Sequence, residues 1–306
     1  MKVIVTGSNG FIGRNVCKWL RDNTNWNICG LGRRSQSASQ VHEYMQCDLD
    51  NDNDVRHLEC EHMNDVDAVI HLAADMRREP HNVEVVASNC VGTQRLLEAC
   101  EHAGVRVFMQ LSSLPVIGSP IQHPITEDHP LRPPTVYHAT KIAEELLAGY
   151  ADYARGIRTA SFRICAPVGL GVKETTIFPT VARRAAIGEE IILYGQGTRK
   201  QTYIHVDDIA QALYKSIVSE RAHGVYNLAS ENLISNYDLA RMCVDVAGSS
   251  SQIRFSGSPD REEGLVWDVS IERLKSDTDF VPVVGIEECV REQVEYYMSC
   301  NLVERR

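Results

Sequence analysis

An apolar, β-branched run, Met1-Lys2-Val3-Ile4-Val5-Thr6, passes directly into Gly7-Ser8-Asn9-Gly10-Phe11-Ile12-Gly13. No other stretch restricts the fold as much. A strand that ends in a Gly-x-x-Gly-x-x-Gly loop and opens a helix, here Phe11 to Leu20, lets backbone N–H groups close on a pyrophosphate, because glycine lacks the Cβ that would hold it off. The helix N-terminus adds partial positive charge. The segment therefore predicts a nucleotide site at the end of the first strand.

Composition narrows the partners. The 306 residues are 43% apolar, enough to fill the core of one large α/β domain or two smaller ones. Net charge is −10, from 31 basic and 41 acidic residues, and no Lys/Arg run exceeds two residues. Nucleic acid and an anionic membrane surface are thus disfavoured as partners, and an anionic ligand must be met by local donors. The ten cysteines include no Cys-x-x-Cys pair and several sit inside apolar patterns, as buried thiols of a reduced cytoplasm do. No apolar stretch approaches the roughly 20 residues of a membrane span, and the N-terminus enters a strand instead of a signal-peptide core. A soluble, cytoplasmic protein is the expectation.

Short apolar strands alternate with longer helical patterns. Strands are predicted at 2–6, 26–31, 68–72, 105–111 and 159–164, and helices at 13–22, 51–62, 82–103 and 137–154. This rhythm predicts an α/β fold with a doubly wound parallel sheet, whose ligands bind beyond the strand carboxyl ends. After about Pro167 the chain turns to Gly, Pro and Thr-rich loops with shorter elements. The expected division is a dinucleotide-binding part over 1–166 and a smaller α/β, mainly substrate-binding part over 167–306, with the segment around 201–218 returning to the first part.

A second cluster is Tyr137-His138-Ala139-Thr140-Lys141. Tyrosine and lysine four apart share a helical face, and an ammonium there lowers the cost of a phenolate, so Tyr137 could exchange a proton with a hydroxyl or carbonyl near neutral pH. Upstream, Ser112-Ser113 follows an apolar strand, which puts a hydroxyl at the carboxyl edge of the sheet. His71, inside a strand, reads as a satisfied core imidazole, and Asp207 or Asp208 as the N-cap of the following helix. Cys60-Glu61-His62 lies on a polar helical stretch without further clustered ligands, and no metal site is predicted.

Together these segments resemble the extended short-chain dehydrogenase/reductase superfamily, the NAD-dependent epimerase/dehydratase group that modifies nucleotide sugars. Further matches are Cys47-Asp48-Leu49, Val69-Ile70-His71-Leu72-Ala73-Ala74, Asn89-Cys90-Val91-Gly92-Thr93, Leu111-Ser112-Ser113 through Gly118, and Tyr203 through Ala210. The resemblance implies a Rossmann sheet with Tyr137 as acid/base, Lys141 on the nicotinamide ribose, and Ser113, counted back from Gly118, on the reacting oxygen. It also implies a cofactor cradle of Gly7, Asn9, Gly10, Phe11, Ile12 and Gly13, continued by Asp48 at the adenine, Leu49, Leu72, Ala73, Ala74 and Asn89. The family's dimer, a helix bundle across a twofold axis, makes a homodimer the default.

Departures from the family pattern carry the finer expectations. Gly32 takes the slot where NAD-binding members place an acid, and Arg33 with Arg34 can bind a 2′-phosphate, so NADP is favoured, with NAD as the alternative; both arginines also fit a solvated loop. The Thr-Asp-Glu block of the dehydratases is Ser113-Leu114-Pro115 here, which argues against dehydration by that route. Gln201 stands where many relatives carry a pyrophosphate arginine, with Arg199 or Lys200 near enough to compensate, and Arg261 fits a later phosphate-binding arginine. The resulting expectation is a reductase or dehydrogenase acting between a secondary alcohol and a ketone on a sugar-like, nucleotide-linked substrate. The rivals are an NAD-dependent epimerase passing through a transient ketone, and a non-catalytic dinucleotide-binding sensor or scaffold.

Overall fold

The computed structural model describes residues 1–304, with side chains described through 300. The first stretch runs β1 (Lys2–Thr6), α1 (Phe11–Asn23), β2 (Asn27–Gly32), β3 (Glu43–Gln46), α2 (Asp52–His62) and β4 (Ala68–His71). It continues through α3 (Asn82–Val86), α4 (Gly92–His102), β5 (Val107–Ser113), α5 (Val136–Arg155) and β6 (Arg158–Ile164). The remainder holds β7 (Ala166–Val168), α6 (Ile177–Ile187), β8 (Ile191–Leu193), β9 (Lys200–His205), α7 (Val206–Val218), β10 (Gly224–Leu228) and β11 (Leu233–Ser235). It closes with α8 (Asn236–Ala247), β12 (Ile253–Phe255), β13 (Val266–Trp267), α9 (Glu272–Thr278) and α10 (Ile286–Glu304).

Seven parallel strands form one sheet in the order β10-β6-β5-β4-β1-β2-β3. The order reverses between β1 and β4, which opens a crevice at their carboxyl ends. Alternate residues of β1 explain why the sheet is covered twice. Val3 and Val5 join a core with Val16, Leu20, Ile209 and Leu213, whereas Ile4 joins another with Leu96, Leu97 and Phe108 on the opposite face. A third core, around Phe178, Tyr203, Leu239 and Val290, belongs to the later part of the chain.

The five strands and four helices expected from the sequence are present within a few residues, with two differences of substance. β3 was not anticipated: it is a four-residue edge strand, half of it exposed, with little apolar pattern to read. The helix expected over 82–103 is interrupted by a π-helical turn at Ala87–Val91, an extra residue per turn that re-aims Asn89 into the interior. Of the segment 201–218, β9 lies in a small sheet with β7, β11 and β13, while α7 packs against α1 and β5 of the large sheet, followed by β10 on its edge.

Candidate functional site

The glycine loop is held by steric necessity. Gly7 has φ +64°, and a Cβ there would come within 2.7 Å of the Ala73 backbone nitrogen; a Cβ on Gly13 would overlap the Gly7 carbonyl oxygen. Gly10 differs. Its nearest neighbour would be the Gly7 oxygen at 3.2 Å, it is exposed, and it begins α1 with no side-chain cap, so its approach is open on the outer side. A cradle left clear of side chains, ahead of helix N–H groups, fits a dinucleotide phosphate.

The floor of the crevice is tied to this loop. Thr6 Oγ1 accepts the N–H groups of Leu72 and Ala73, both at 3.1 Å, and its own proton is then directed to His71 Nδ1 at 2.8 Å. His71 Nε2 in turn donates to Thr93 Oγ1 at 3.0 Å. Burial pushes the imidazole down to about 3, with Lys141 adding to the shift, so His71 is the satisfied neutral core group expected of it. Leu72 and Ala73 are half-buried, and Ala74 is exposed beyond the strand end.

Asn89 is buried and fully engaged. Its Oδ1 accepts the Asp75 N–H at 2.7 Å, and its Nδ2 donates to the Asp75 carbonyl at 3.0 Å and to Thr140 Oγ1 at 2.9 Å. The π-helical turn thereby staples the loop after β4 to the first turns of α5. Asp75 also receives Arg77, and these hydrogen bonds hold its carboxyl below the usual range.

α5 carries Tyr137 and Lys141 past the end of β5. Thr135 caps it, and Glu145 Oε1 accepts from Ser112 Oγ at 2.6 Å while Gln110 Nε2 donates to the Glu144 carbonyl at 2.9 Å. On β6 the contacts step backwards as α5 advances, from Arg163 on Glu145 to Thr159 on the Ala148 carbonyl and the Asp152 carboxylate, so the helix runs against the strand direction; two turns before Glu145, roughly 12 Å along the axis, Tyr137 lies beyond the carboxyl end of the sheet. Ser113 is there as the last residue of β5, half-buried, its hydroxyl spent on no cap. The two serines are thus separated by use: Ser112 is buried on a carboxylate that also binds Arg163 at 2.8 Å.

Two details differ from expectation. The Lys141 ammonium pulls the Tyr137 phenol down, as expected, but burial, the larger effect, and Glu144 leave it raised on balance. Lys141 and Glu144 form a buried pair, Nζ to Oε2 at 2.7 Å. At the start of α7 neither Asp207 nor Asp208 is the cap. His205 holds that position, its Nδ1 accepting the Asp207 N–H at 3.2 Å, while buried Asp208 accepts the N–H groups of Val283 and Val284 at 2.9 and 3.1 Å. The imidazole reaches the free N–H first, and Asp208 anchors the chain ahead of α10 instead.

The outer cofactor positions differ in their engagement. Asn9 is claimed by the loop after β2, donating to Gln36 O and Tyr44 OH and accepting from Ala38 N. Arg33 and Arg34 are exposed on that loop, and a Cβ on Gly32 would meet the Tyr44 hydroxyl at 3.1 Å. Tyr44, which sequence reading passed over, thus fills the acidic slot from the side. Asp48 is half-buried and accepts the Asp50 N–H at 3.2 Å, and Leu49 is buried under Gly92. Phe11 and Ile12 are half-buried in the first turn of α1.

On β9, Gln201 is buried, with Nε2 against the Tyr203 hydroxyl and Oε1 accepting from Arg199 Nη2 at 3.2 Å. Arg199 also pairs with Glu262 at 2.7 Å, next to exposed Arg261. Of the two neighbours considered as substitutes for the missing arginine, Arg199 touches Gln201. Lys200 instead lines an open cleft of about 370 Å³ with Tyr237 and Phe255. Among the described residues no cluster of three metal-ligating side chains occurs, and no helix is long and apolar enough to cross a membrane.

Known proteins are similar to this chain. The Low-salt glycan biosynthesis protein Agl12 of Haloferax volcanii is 31% identical over 269 residues, covering 83% of this chain and 86% of that protein. A dTDP-glucose 4,6-dehydratase of Streptomyces niveus is 26% identical, covering 97% and 93%. Among solved structures, MoeE5 in complex with UDP-glucose and NAD superposes with a TM-score of 0.83 at 27% identity, over 99% of this chain and 100% of that one. Residues 3–229 match the description NAD dependent epimerase/dehydratase family, from within β1 through β10, and it is to this family that the chain belongs.

Proposed function

We propose that the protein is an NAD(P)-dependent oxidoreductase that interconverts a secondary alcohol and a ketone on a nucleotide-linked sugar. The observation that carries this reading is the division of labour at the end of β5: Ser112 is consumed by Glu145, whereas Ser113 keeps its hydroxyl beside the end of the sheet where α5 brings Tyr137 and Lys141. A bound nicotinamide dinucleotide supplies the hydride donor and acceptor. In the reducing direction Ser113 Oγ donates a hydrogen bond to the carbonyl oxygen, and the Tyr137 hydroxyl gives that oxygen its proton. Burial suits the phenol to this task, since it stays protonated at neutral pH until the proton is needed. The Lys141 ammonium then stabilises the phenolate left behind and is assigned to the ribose.

Gly7, Gly10 and Gly13 hold the pyrophosphate in this reading. Arg33 and Arg34 select the 2′-phosphate of NADP: no acid occupies position 32, and both arginines are exposed on the loop after β2. Comparing kcat/KM for NADPH and NADH checks this, and a clear NADH preference overturns it. Leu114 is buried and Pro115 follows it, so neither position offers the carboxyl pair used by dehydratases of the family. A homodimer is proposed through Leu146, Tyr150 and Tyr153, an exposed i, i+4, i+7 stripe on α5. Sedimentation showing only monomer would remove it.

The second reading, favoured by the family to which the chain belongs, is an epimerase that keeps its cofactor through the turnover. Net consumption of NAD(P)H separates the two, because epimerisation leaves none. The scaffold reading has no observation in its favour. Tyr137→Phe tests the common chemistry: turnover falls by about a thousandfold, within the usual span of acid/base catalysis, while dinucleotide affinity is retained. Undiminished turnover defeats the proposal.

A further inference from the structure

Three residues after Lys141, the helix carries an acidic side chain that the catalytic reading does not use. Glu144 is 1% exposed and Lys141 3%, and their 2.7 Å contact lies inside the protein on the stripe that also carries Tyr137, seven residues before Glu144. Glu145, its neighbour, is accounted for by Ser112 and Arg163. Glu144 is not: its only side-chain partner among the described residues is the Lys141 ammonium, and its Oε1 is buried with none. A carboxylate oxygen without a donor in a dry site is costly, so such a group persists where its charge, or its loss, acts on a neighbour.

The geometry points to Glu144 as a positioning residue that holds the Lys141 ammonium in place and, by opposing its charge, sets the acidity of the Tyr137 phenol. This rests on the proposed roles of Tyr137 and Lys141. With Glu144 ionised, the ammonium is matched by a carboxylate at hydrogen-bond distance, and its pull on the phenol is blunted. With Glu144 protonated, the ammonium acts on Tyr137 unopposed and one of its three donors is released. Burial pushes the Glu144 carboxyl up to about 7 against the pull of Lys141, so the exchange falls in the neutral range.

The other groups around the pair leave this coupling intact. On α5, Glu145 is neutralised by Arg163. From β4, His71 is uncharged, because burial pushes it down to about 3. From the π-helical turn, the Cys90 thiol is raised by burial and by Glu144, and so remains neutral. From β5, Gln110 offers its amide to the Glu144 backbone carbonyl.

The test is to titrate Tyr137 directly in the ligand-free protein, by NMR of isotope-labelled tyrosine with the resonance assigned through Tyr137→Phe. In Glu144→Gln the phenol is expected to become about tenfold more acidic, the low end of the effect of a nearby charge. The pH profile of alcohol oxidation should move to lower pH by the same amount. A residue with only a structural role would change stability and leave both unmoved, and an unmoved phenol overturns the proposal. Should Glu144→Gln fail to fold, the unsubstituted protein decides: the Tyr137 resonance must show an inflection as Glu144 ionises, and its absence is fatal. Full turnover in Tyr137→Phe would defeat the catalytic reading alone, because the titration needs no turnover.

Discussion

Two regions of this molecule are read as meeting anions, and they are built on opposite principles. The loop from Gly7 to Gly13 presents backbone N–H groups in a shape that side chains are forbidden to enter. The stretch from Arg199 to Gln201, with Arg261 and Glu262, presents side chains already paired with one another: Arg199 to Glu262, Arg199 to Gln201, and Gln201 to Tyr203. A backbone cradle leaves almost no freedom of sequence, so it is recognisable wherever it occurs. A side-chain network can move its charge two residues along a strand and keep an anion within reach, so it carries specificity and escapes pattern matching.

The contrast can be broken most sharply within the glycine loop. Gly13→Ala drives a methyl group into the Gly7 carbonyl and is expected to cost about 3 kcal/mol of unfolding free energy. Gly10→Ala should cost under about 1 kcal/mol, since the new Cβ has only one neighbour at 3.2 Å, yet weaken dinucleotide binding at least tenfold. Denaturant titration and a binding isotherm measure the pair. Equal losses of stability would mean that Gly10 serves the fold and not the ligand.

A smaller effect sharpens the other side. Arg199→Ala is expected to raise KM for the nucleotide sugar about tenfold with kcat little changed, the signature of lost uniform binding. Steady-state kinetics with Lys200→Ala as the control would show it. An unchanged KM in Arg199→Ala would remove β9 from the anion site.

The smallest effect concerns the loop after β4. The Asp75 carboxyl is held down chiefly by its hydrogen bond to Arg77, so its contribution to loop order is present above the ordinary 3.8 and is lost as pH falls through the lower native value. Arg77 is exposed, and solvent screening keeps the effect modest. The protection of the amides at residues 75–78, relative to the exchange of an open chain at the same pH, should fall on acidification in that range and nowhere near neutrality. A loss of protection close to pH 7 would point to another group.

The doubly wound sheet and the crevice at its carboxyl edge were legible in the primary structure, because each depends on local rules; Ser113 is singled out over Ser112 only by counting back from Gly118 along the family pattern. Alternating apolar residues commit Val3, Ile4 and Val5 to two helical layers, and Gly7 and Gly13 admit no other residue. The acidity of Tyr137 was not legible, since the sign of its shift depends on how deeply α5 is buried and on a carboxylate whose side chain could equally have faced solvent. Nor were the cap at His205, the re-aimed Asn89, or the pairing of Arg199 with Gln201 and Glu262. Each of those is a competition among several partners of similar chemistry, and it is settled by distances of a few ångströms that arise only after distant segments have packed.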